Sequence, residues 1–423
     1  MKKFYLLIAT ALTGLIMLSV TAVKAQNMER YITLIVKQGE WISLIFEADT
    51  VNTFVKVVSG TTDTTFYVDI EWPVMASCYA QSDTMRIYGN VKEFDCKRND
   101  TKIIGLNASN NKELKRLDCS FNHLSFLDVS GLTALEVLNC GSNRLSSLNL
   151  SGLTALRALI CCFNNFSSLD ISELTFLNCL DCGSNSLSSL NLSGLTALTS
   201  LSCYNNHLSS LDVSELTSLT TLFCSYNNLF SLDVSGLTAL EHLLCFDNHL
   251  SSIKISGCES LFRIVCYENQ LSACGLDSLF HQLSIRTENK KGKIYIKDRR
   301  FTNPGTFSCR DTIATNKFWN VLDYNIENEK PIKNTTYACP YFTLGVKEIK
   351  QDNIRFYPNP VNATLYIESK ADISRVEVYD VLGRRQLSTT YSNTIDCSTL
   401  SAGIYILKLT TPQGNLIKKF VKE

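Results

Sequence analysis

The chain has 423 residues, with 40 lysines and arginines against 40 aspartates and glutamates, so no whole-chain field draws it to nucleic acid or anionic lipid. The balance conceals an acidic middle: residues 107–274 hold 14 acidic and 7 basic side chains, a stretch that repels a polyanion. The length allows two or three domains.

Residues 1–25 read as a secretory signal peptide. Lys2 and Lys3 precede an apolar run over 5–20, and Val23, Lys24 and Ala25 lead to a cleavage point ahead of Gln26. That run is short for a membrane anchor, and no later segment is long and apolar enough to span a bilayer. An exported chain is expected. Residues 26–95 then read as a β-rich N-terminal cap, with strand-like runs at 31–36, 41–46 and 65–70 separated by polar turns.

From residue 96 to 274 the text repeats. Cys119, Cys140, Cys161, Cys182, Cys203, Cys224, Cys245 and Cys266 recur every 21 residues, and Asn122, Asn143, Asn164, Asn185, Asn206, Asn227, Asn248 and Asn269 each follow by three. Cys96 opens a divergent first unit, 23 residues before Cys119. The consensus, LxxLxCxxNxLxxLxVSxLTx, resembles the leucine-rich repeat. A unit this short cannot bury its own apolar face, so neighbours must stack. Two-residue alternation sends Leu117 and Cys119 inward and Arg116, Asp118 and Ser120 outward. Stacked strands form a parallel sheet about 4.8 Å per step, so eight units give a face roughly 35 Å long. The run 124–129 reads as a second extended segment on the opposite wall. The asparagines form a ladder that satisfies backbone groups where each strand turns away.

Seventeen cysteines in an exported chain suggest disulfides, but here most belong to the repeat. Parallel in-register side chains point alike rather than at one another, and no histidine or acid stands at a fixed offset to complete a metal site. The column is therefore read as small buried core residues. Cys162, beside Cys161, is the expected exposed thiol. Outside the repeat, Cys309 and Cys339 are candidates for a pair.

Residues 275–325 should close the far end as an α/β C-terminal cap, with helical spacing over 276–283 and 311–317 and strands at 293–297 and 319–324. Residues 326–350 carry linker signals. From 351 to 423, short alternating runs at 365–367, 376–379, 403–409 and 416–421 predict a C-terminal immunoglobulin-like β-sandwich.

Outward positions of the repeat strands and turns carry the expected binding surface. Phe121, Phe163, Tyr204, Tyr226, Phe246 and Tyr267 lie between cysteine and asparagine, and Ile160, Phe223, Leu244 and Val265 precede the cysteine. Aromatic residues are common interface anchors, and an exposed apolar patch usually marks an interaction site; the competing reading tucks these rings over the strand ends. The C-terminal half is the richer, with His242, Asp247, Arg263 and Glu268 available for polar specificity. Partner contact is assigned to Phe121, Phe163, Tyr204, Phe223, Tyr226, Leu244, Phe246, Tyr267, Arg263 and Glu268.

Enzymatic readings find little. GxSxG, HExxH and P-loop motifs are missing. His123, His207 and His249 share one repeat position as turn residues, and Cys162 has no histidine beside it to form a thiol nucleophile pair. Asp128, Asp170, Asp212 and Asp233 form a column of single carboxylates rather than a dense calcium loop. No catalytic residue, cofactor or metal is expected.

Two resemblances add to this reading. The Tyr-Pro-Asn-Pro start at 357–360, Val-Glu-Val-Tyr-Asp-Val-Leu-Gly-Arg at 376–384, Leu-Ser-Ala-Gly-Ile-Tyr-Ile at 400–406 and Ile-Lys-Lys-Phe-Val-Lys at 417–422 resemble the C-terminal sorting domain of type IX secretion cargo of Bacteroidota. The resemblance implies handling by the type IX machinery, passage across the outer membrane, removal of the domain by a cut within about residues 340–355, and attachment at the surface or release. The repeats and their flanks resemble internalin-J-like leucine-rich-repeat proteins, which implies adhesion, biofilm formation or host contact. The expected partner is a protein of a host or neighbouring cell, with a glycan as the alternative ligand. The alternative role is a structural cell-surface or matrix component with no specific ligand.

Overall fold

Where every unit repeats the same apolar spacing, each strand finds the same partner positions in the next, and the chain winds into a stack. A computed structural model describes this for residues 27–50, 53–68, 73–324, 330–332, 354–369, 373–380, 385–390, 393–411 and 414–423. The expected signal peptide and nearly all of the linker lie outside the described residues. The chain divides into two compact units, Met1–Cys339 and Pro340–Glu423.

The first unit opens with eight strands: β1 (Tyr31–Val36), β2 (Trp41–Ala48), β3 (Thr53–Ser59), β4 (Thr62–Val68), β5 (Val74–Tyr79), β6 (Thr84–Tyr88), β7 (Val91–Asp95) and β8 (Ile103–Asn107). Alternating burial in β1 and β2 packs Ile32, Leu34, Ile42, Leu44 and Phe46 with Met85 and Phe94 into one core. One sheet runs β8-β1-β6-β3-β4, the other β7-β2-β5. Each feeds a wall of the repeats: β7 pairs in parallel with Arg116–Asp118, and β8 with Phe126–Asp128. The cap is thus hydrogen-bonded into the array rather than laid on its end.

Eight three-residue strands from Arg116–Asp118 to Arg263–Val265 then stack in parallel at the 21-residue step, as in Val137↔Ala158 and Leu138↔Leu159. The central leucine (Ile264 in the last strand) and the cysteine that follows the strand are buried at every step. Ser120, expected to face outward, is buried at 2% exposure. The backbone leaves the strand at Cys119, and the Ser120 hydroxyl turns back to donate to Asp118 Oδ1 at 2.6 Å.

Each asparagine ties its own turn to the one before. Asn185 Nδ2 donates to the carbonyls of Cys161 and Cys182 at 3.2 and 3.1 Å, and its Oδ1 accepts from Phe166 N at 3.1 Å. Asn99 occupies the same place in the N-terminal cap, donating to Cys96 O at 2.9 Å. The opposite wall is strand-like only near its ends, at Phe126–Asp128, Ser231–Asp233 and Ser252–Lys254. Between them the wall is built from turns in which Asp or Asn accepts from the backbone of the serine two residues on, as Asp170 Oδ1 does from Ser172 N at 3.1 Å. The aspartate column therefore serves turn geometry.

The C-terminal cap continues the sheet with Gly292–Asp298 and Trp319–Asp323 in parallel. Two helices cover its end, α1 (Ala273–Gln282) and α2 (Asp311–Thr315). Ser272 Oγ caps α1 by accepting from Gly275 N at 3.1 Å. A side chain at Gly292 would place its Cβ 2.4 Å from the Trp319 ring, so glycine there makes room for the buried indole. Asn303 extends the amide ladder, donating to Cys266 O at 3.0 Å and Ile296 O at 3.2 Å. The proposed Cys309–Cys339 pair is corrected: Cys309 is a buried thiol whose Sγ donates to Thr306 O at 3.6 Å, and the half-cystine of this cap is Cys274. Cys339 lies outside the described residues.

The second unit holds two antiparallel sheets. One orders Ile354–Tyr357, Thr364–Ser369 and Thr394–Asp396; the other orders Arg385–Thr390, Arg375–Asp380, Gly403–Thr411 and Gly414–Lys422. Val361, Leu365, Val376, Val378, Leu407 and Phe420 fill the space between them, an arrangement compatible with an immunoglobulin-like sandwich. The motif at 357–360 is bound to the last strand: Asn359 Oδ1 accepts from Val421 N at 2.8 Å, and Val361 N donates to Val421 O at 2.8 Å.

Candidate partner-binding surface

The repeat period places equivalent residues one above another, so the exposed side of the sheet is a set of columns. The column just before the cysteine changes character along the array. It runs through Asp118, Asn139, Ile160, Asp181 and Ser202, polar but for Ile160 and all part-exposed, and ends with Phe223, Leu244 and Val265. The column just after the cysteine changes likewise, from Gly141 and Gly183 to Tyr204, Phe246 and Tyr267. A Cβ on Gly183 would lie 2.2 Å from the Tyr204 ring, so that ring fills the space a side chain there would need.

The second residue after the cysteine has left-handed backbone in every unit. Phe121, Ser142, Phe163, Ser184, Asn205, Tyr226, Asp247 and Glu268 all have φ between 51° and 56°. Such a conformation costs a residue with a Cβ roughly 1–2 kcal/mol, and the asparagine ladder immediately beyond holds it in place. Glycine occupies none of these positions. Phe121, Phe163 and Tyr226 instead hold rings there at 51%, 52% and 47% exposure.

At the C-terminal end the rings join. Tyr226 meets Phe246 edge-on at 5.0 Å, Phe246 stacks on Tyr267 at 4.7 Å, and Tyr267 lies 5.9 Å from Tyr324, which in turn is 5.1 Å from Tyr295. The Arg263 guanidinium sits over Tyr295 at 5.0 Å and Tyr324 at 5.8 Å, a cation–π arrangement. Acids border the rings. Burial and the neighbouring Asp247 raise the Glu268 carboxyl above its ordinary value. Burial, followed by the carboxylates of Asp247, Glu268 and Asp298, raises the Tyr226 phenol.

Of the residues assigned from sequence, Phe121, Phe163, Phe223 and Tyr226 are exposed, and Tyr204, Leu244, Phe246, Arg263 and Glu268 are partly buried. Tyr267 is corrected from outward anchor to floor. It is 7% exposed, because the cap strand Gly292–Asp298 extends the sheet past it and Phe246 and Tyr324 close over its ring. Val265, at 1%, is covered by the same strand. The structure joins Tyr226, Leu244, Phe246, Tyr267 and Arg263 in one cluster, whereas Phe121 stands at the opposite end beneath Arg98, at 5.7 Å. Tyr295 and Tyr324 were missed. Residues 293–297 and 319–324 read as strands, but no repeat register aligned them with the array.

The N-terminal end of the face differs. A recess of about 340 Å³ lies between Ile45, Glu93, Asp95, Lys97, Arg116 and Asp118, with Lys97 bridging Asp95 at 2.7 Å and Asp118 at 3.5 Å. Cys162, expected as the exposed thiol, is half-buried. Burial and then the Asp181 carboxylate push it up to about 12, so it is protonated at neutral pH and a poor nucleophile. Among the described residues no group of three or more histidines, cysteines or acids converges on a metal position, and no helix is long and apolar enough to cross a membrane.

Residues 355–423 match the family model of the secretion system C-terminal sorting domain. No curated protein matches the chain. Among solved structures it is similar to the functional domain of InlJ from Listeria monocytogenes, described as including a cysteine ladder, at 23% identity over 78% of this chain and 76% of that one, with TM-score 0.43. It is also similar to YopM from Yersinia pestis, at 25% identity over 37% and 44% of the two chains and TM-score 0.34. YopM from Yersinia enterocolitica gives 23% identity over 50% and 46%, with TM-score 0.34. The chain thus covers less than half the length of either YopM. These are likenesses of fold. The protein is a leucine-rich-repeat solenoid with a type IX sorting domain, secreted or attached at the outer-membrane surface.

Proposed function

We propose that the protein is a cell-surface adhesin whose ring-rich C-terminal half of the sheet docks a protein on a host or neighbouring cell. The observation that carries this reading is the exposed Tyr226 ring, on left-handed backbone and edge-on to Phe246 at 5.0 Å. A position where glycine would be easier holds Tyr226 half in water, and conformational cost at an exposed site argues for selection by contact. Tyr226 leads directly into the Phe246–Tyr267 stack, so a partner meets a preformed apolar platform with little side-chain entropy left to lose.

The test is binding of the purified full-length chain to intact target cells, before and after protease treatment or deglycosylation of those cells. Saturable binding lost on protease treatment is expected. Combining Tyr226→Gly, which relieves the backbone, with Phe246→Ala should weaken it about a hundredfold, the loss of two central anchors. Unchanged binding would move the site off these rings. Deglycosylation alone abolishing it would make the ligand a glycan, and no saturable binding at all would leave a structural matrix role.

A further inference from the structure

At the N-terminal end the long sheet stops on β5, and no described strand pairs with its far side. The register Trp41↔Tyr79 through Phe46↔Val74, together with the bond from Ala80 N to Glu40 O at 2.9 Å, fixes which groups face β2. Val74, Ala76, Cys78 and Ala80 direct their N–H and C=O groups inward to that strand. Met75, Ser77 and Tyr79 direct theirs outward, by the alternation of an antiparallel ladder. The same three residues expose their side chains, with Met75 at 79% and Tyr79 at 46%. Trp41, 57% exposed, packs edge-on against Tyr79 at 5.5 Å.

Proteins usually blunt such an edge with charge, proline or a bulge. Two other open edges among the described residues do so. The far end of the same sheet is Lys330–Pro331, and β4 presents Asp63, bridged to Lys56 at 2.6 Å, among threonines. β5, Val-Met-Ala-Ser-Cys-Tyr, carries no charge, proline or register shift.

We propose that β5 is a self-association edge, where two copies of the chain pair antiparallel about a two-fold axis at Ser77. The strand matches its own reverse. With Ser77 opposite Ser77, Met75 of each copy faces Tyr79 of the other, a favourable sulfur–aromatic contact. The outward N–H and C=O groups of all three residues then find partners. No charged side chain on either strand meets its like across the axis. The interface is isologous and closes at two copies.

The experiment is sedimentation velocity on the full-length chain across micromolar concentrations, with a register-specific cross-link as the second reading. A concentration-dependent dimer is expected. Ser77→Cys should form a disulfide-linked dimer under mild oxidation, because paired Cα atoms at the axis lie within bridging distance. Ser77→Pro, whose lost N–H points away from β2, should weaken the dimer about tenfold or more. Ser77→Lys, which sets like charges face to face, should do the same, and Thr64→Lys on β4 should leave the dimer intact. A chain that stays monomeric, a dimer unaffected by both Ser77→Pro and Ser77→Lys, or a Ser77→Cys variant that dimerises without cross-linking would each overturn the proposal. Failure here leaves the adhesive reading untouched, since that rests on the other end of the sheet.

Discussion

Burial governs the chemistry of the thiol column. Cys119, Cys161, Cys182, Cys203 and Cys245 are fully buried and raised well above the ordinary 9.0, and Cys140, Cys224 and Cys266 are pushed up to about 12. The neutral thiol is the form that fits the core. In the unfolded chain these groups ionise near 9, so their contribution to stability is complete below that pH and is lost as pH climbs toward 12. Each thiol still protonated when folded and ionised when unfolded removes about 1.4 kcal/mol per pH unit. Urea midpoints should therefore fall steeply between pH 9 and 11. Cys203→Ala with Cys224→Ala should flatten that slope while lowering the midpoint at pH 7. A midpoint independent of pH over this window would contradict sealed thiols.

The asparagine ladder belongs to the scale of the strand and its turn. Replacing Asn185 by alanine leaves the amide of Phe166 without its partner at a buried site and removes one of the two side-chain amides that donate to each of the carbonyls of Cys161 and Cys182, where Asn164 and Asn206 remain. The expected cost is about 3 kcal/mol, read from denaturant unfolding. An exposed neighbour such as Ser186→Ala should cost little. Much of this was legible in the chain, because a 21-residue period fixes strand, cysteine and asparagine together, and one misplaced unit would break the register of all. The parts that were not legible depend on breaks in that rule. Ser120 follows the alternation on paper, yet the strand has ended beneath it. The second extended segment on the far wall became a strand only at Phe126–Asp128, Ser231–Asp233 and Ser252–Lys254, since the turn at each Asp or Asn satisfies the backbone locally. Tyr324, with the buried Tyr295 beneath it, joined the ring cluster from outside the repeat, where spacing offers no guide.

On the scale of the whole molecule, the repeat array and the sorting domain lie in different units. The sorting unit has its own core, and its 357–360 motif is held by its final strand. Deleting residues 355–423 should leave the remaining chain folded but retained inside the outer membrane, as cell fractionation would show. Appearance of the truncated chain at the surface would mean that another segment carries the address. The repeat array has a further consequence. Each turn meets the next through the same leucine, thiol and amide contacts, so a turn removed or copied leaves ends that still fit. Residues 135–176 and 177–218 are near-copies over two full turns, the trace such a doubling would leave. The face is in effect a ruler that lineages can lengthen or shorten one notch at a time, about 4.8 Å per turn, without redesigning either end.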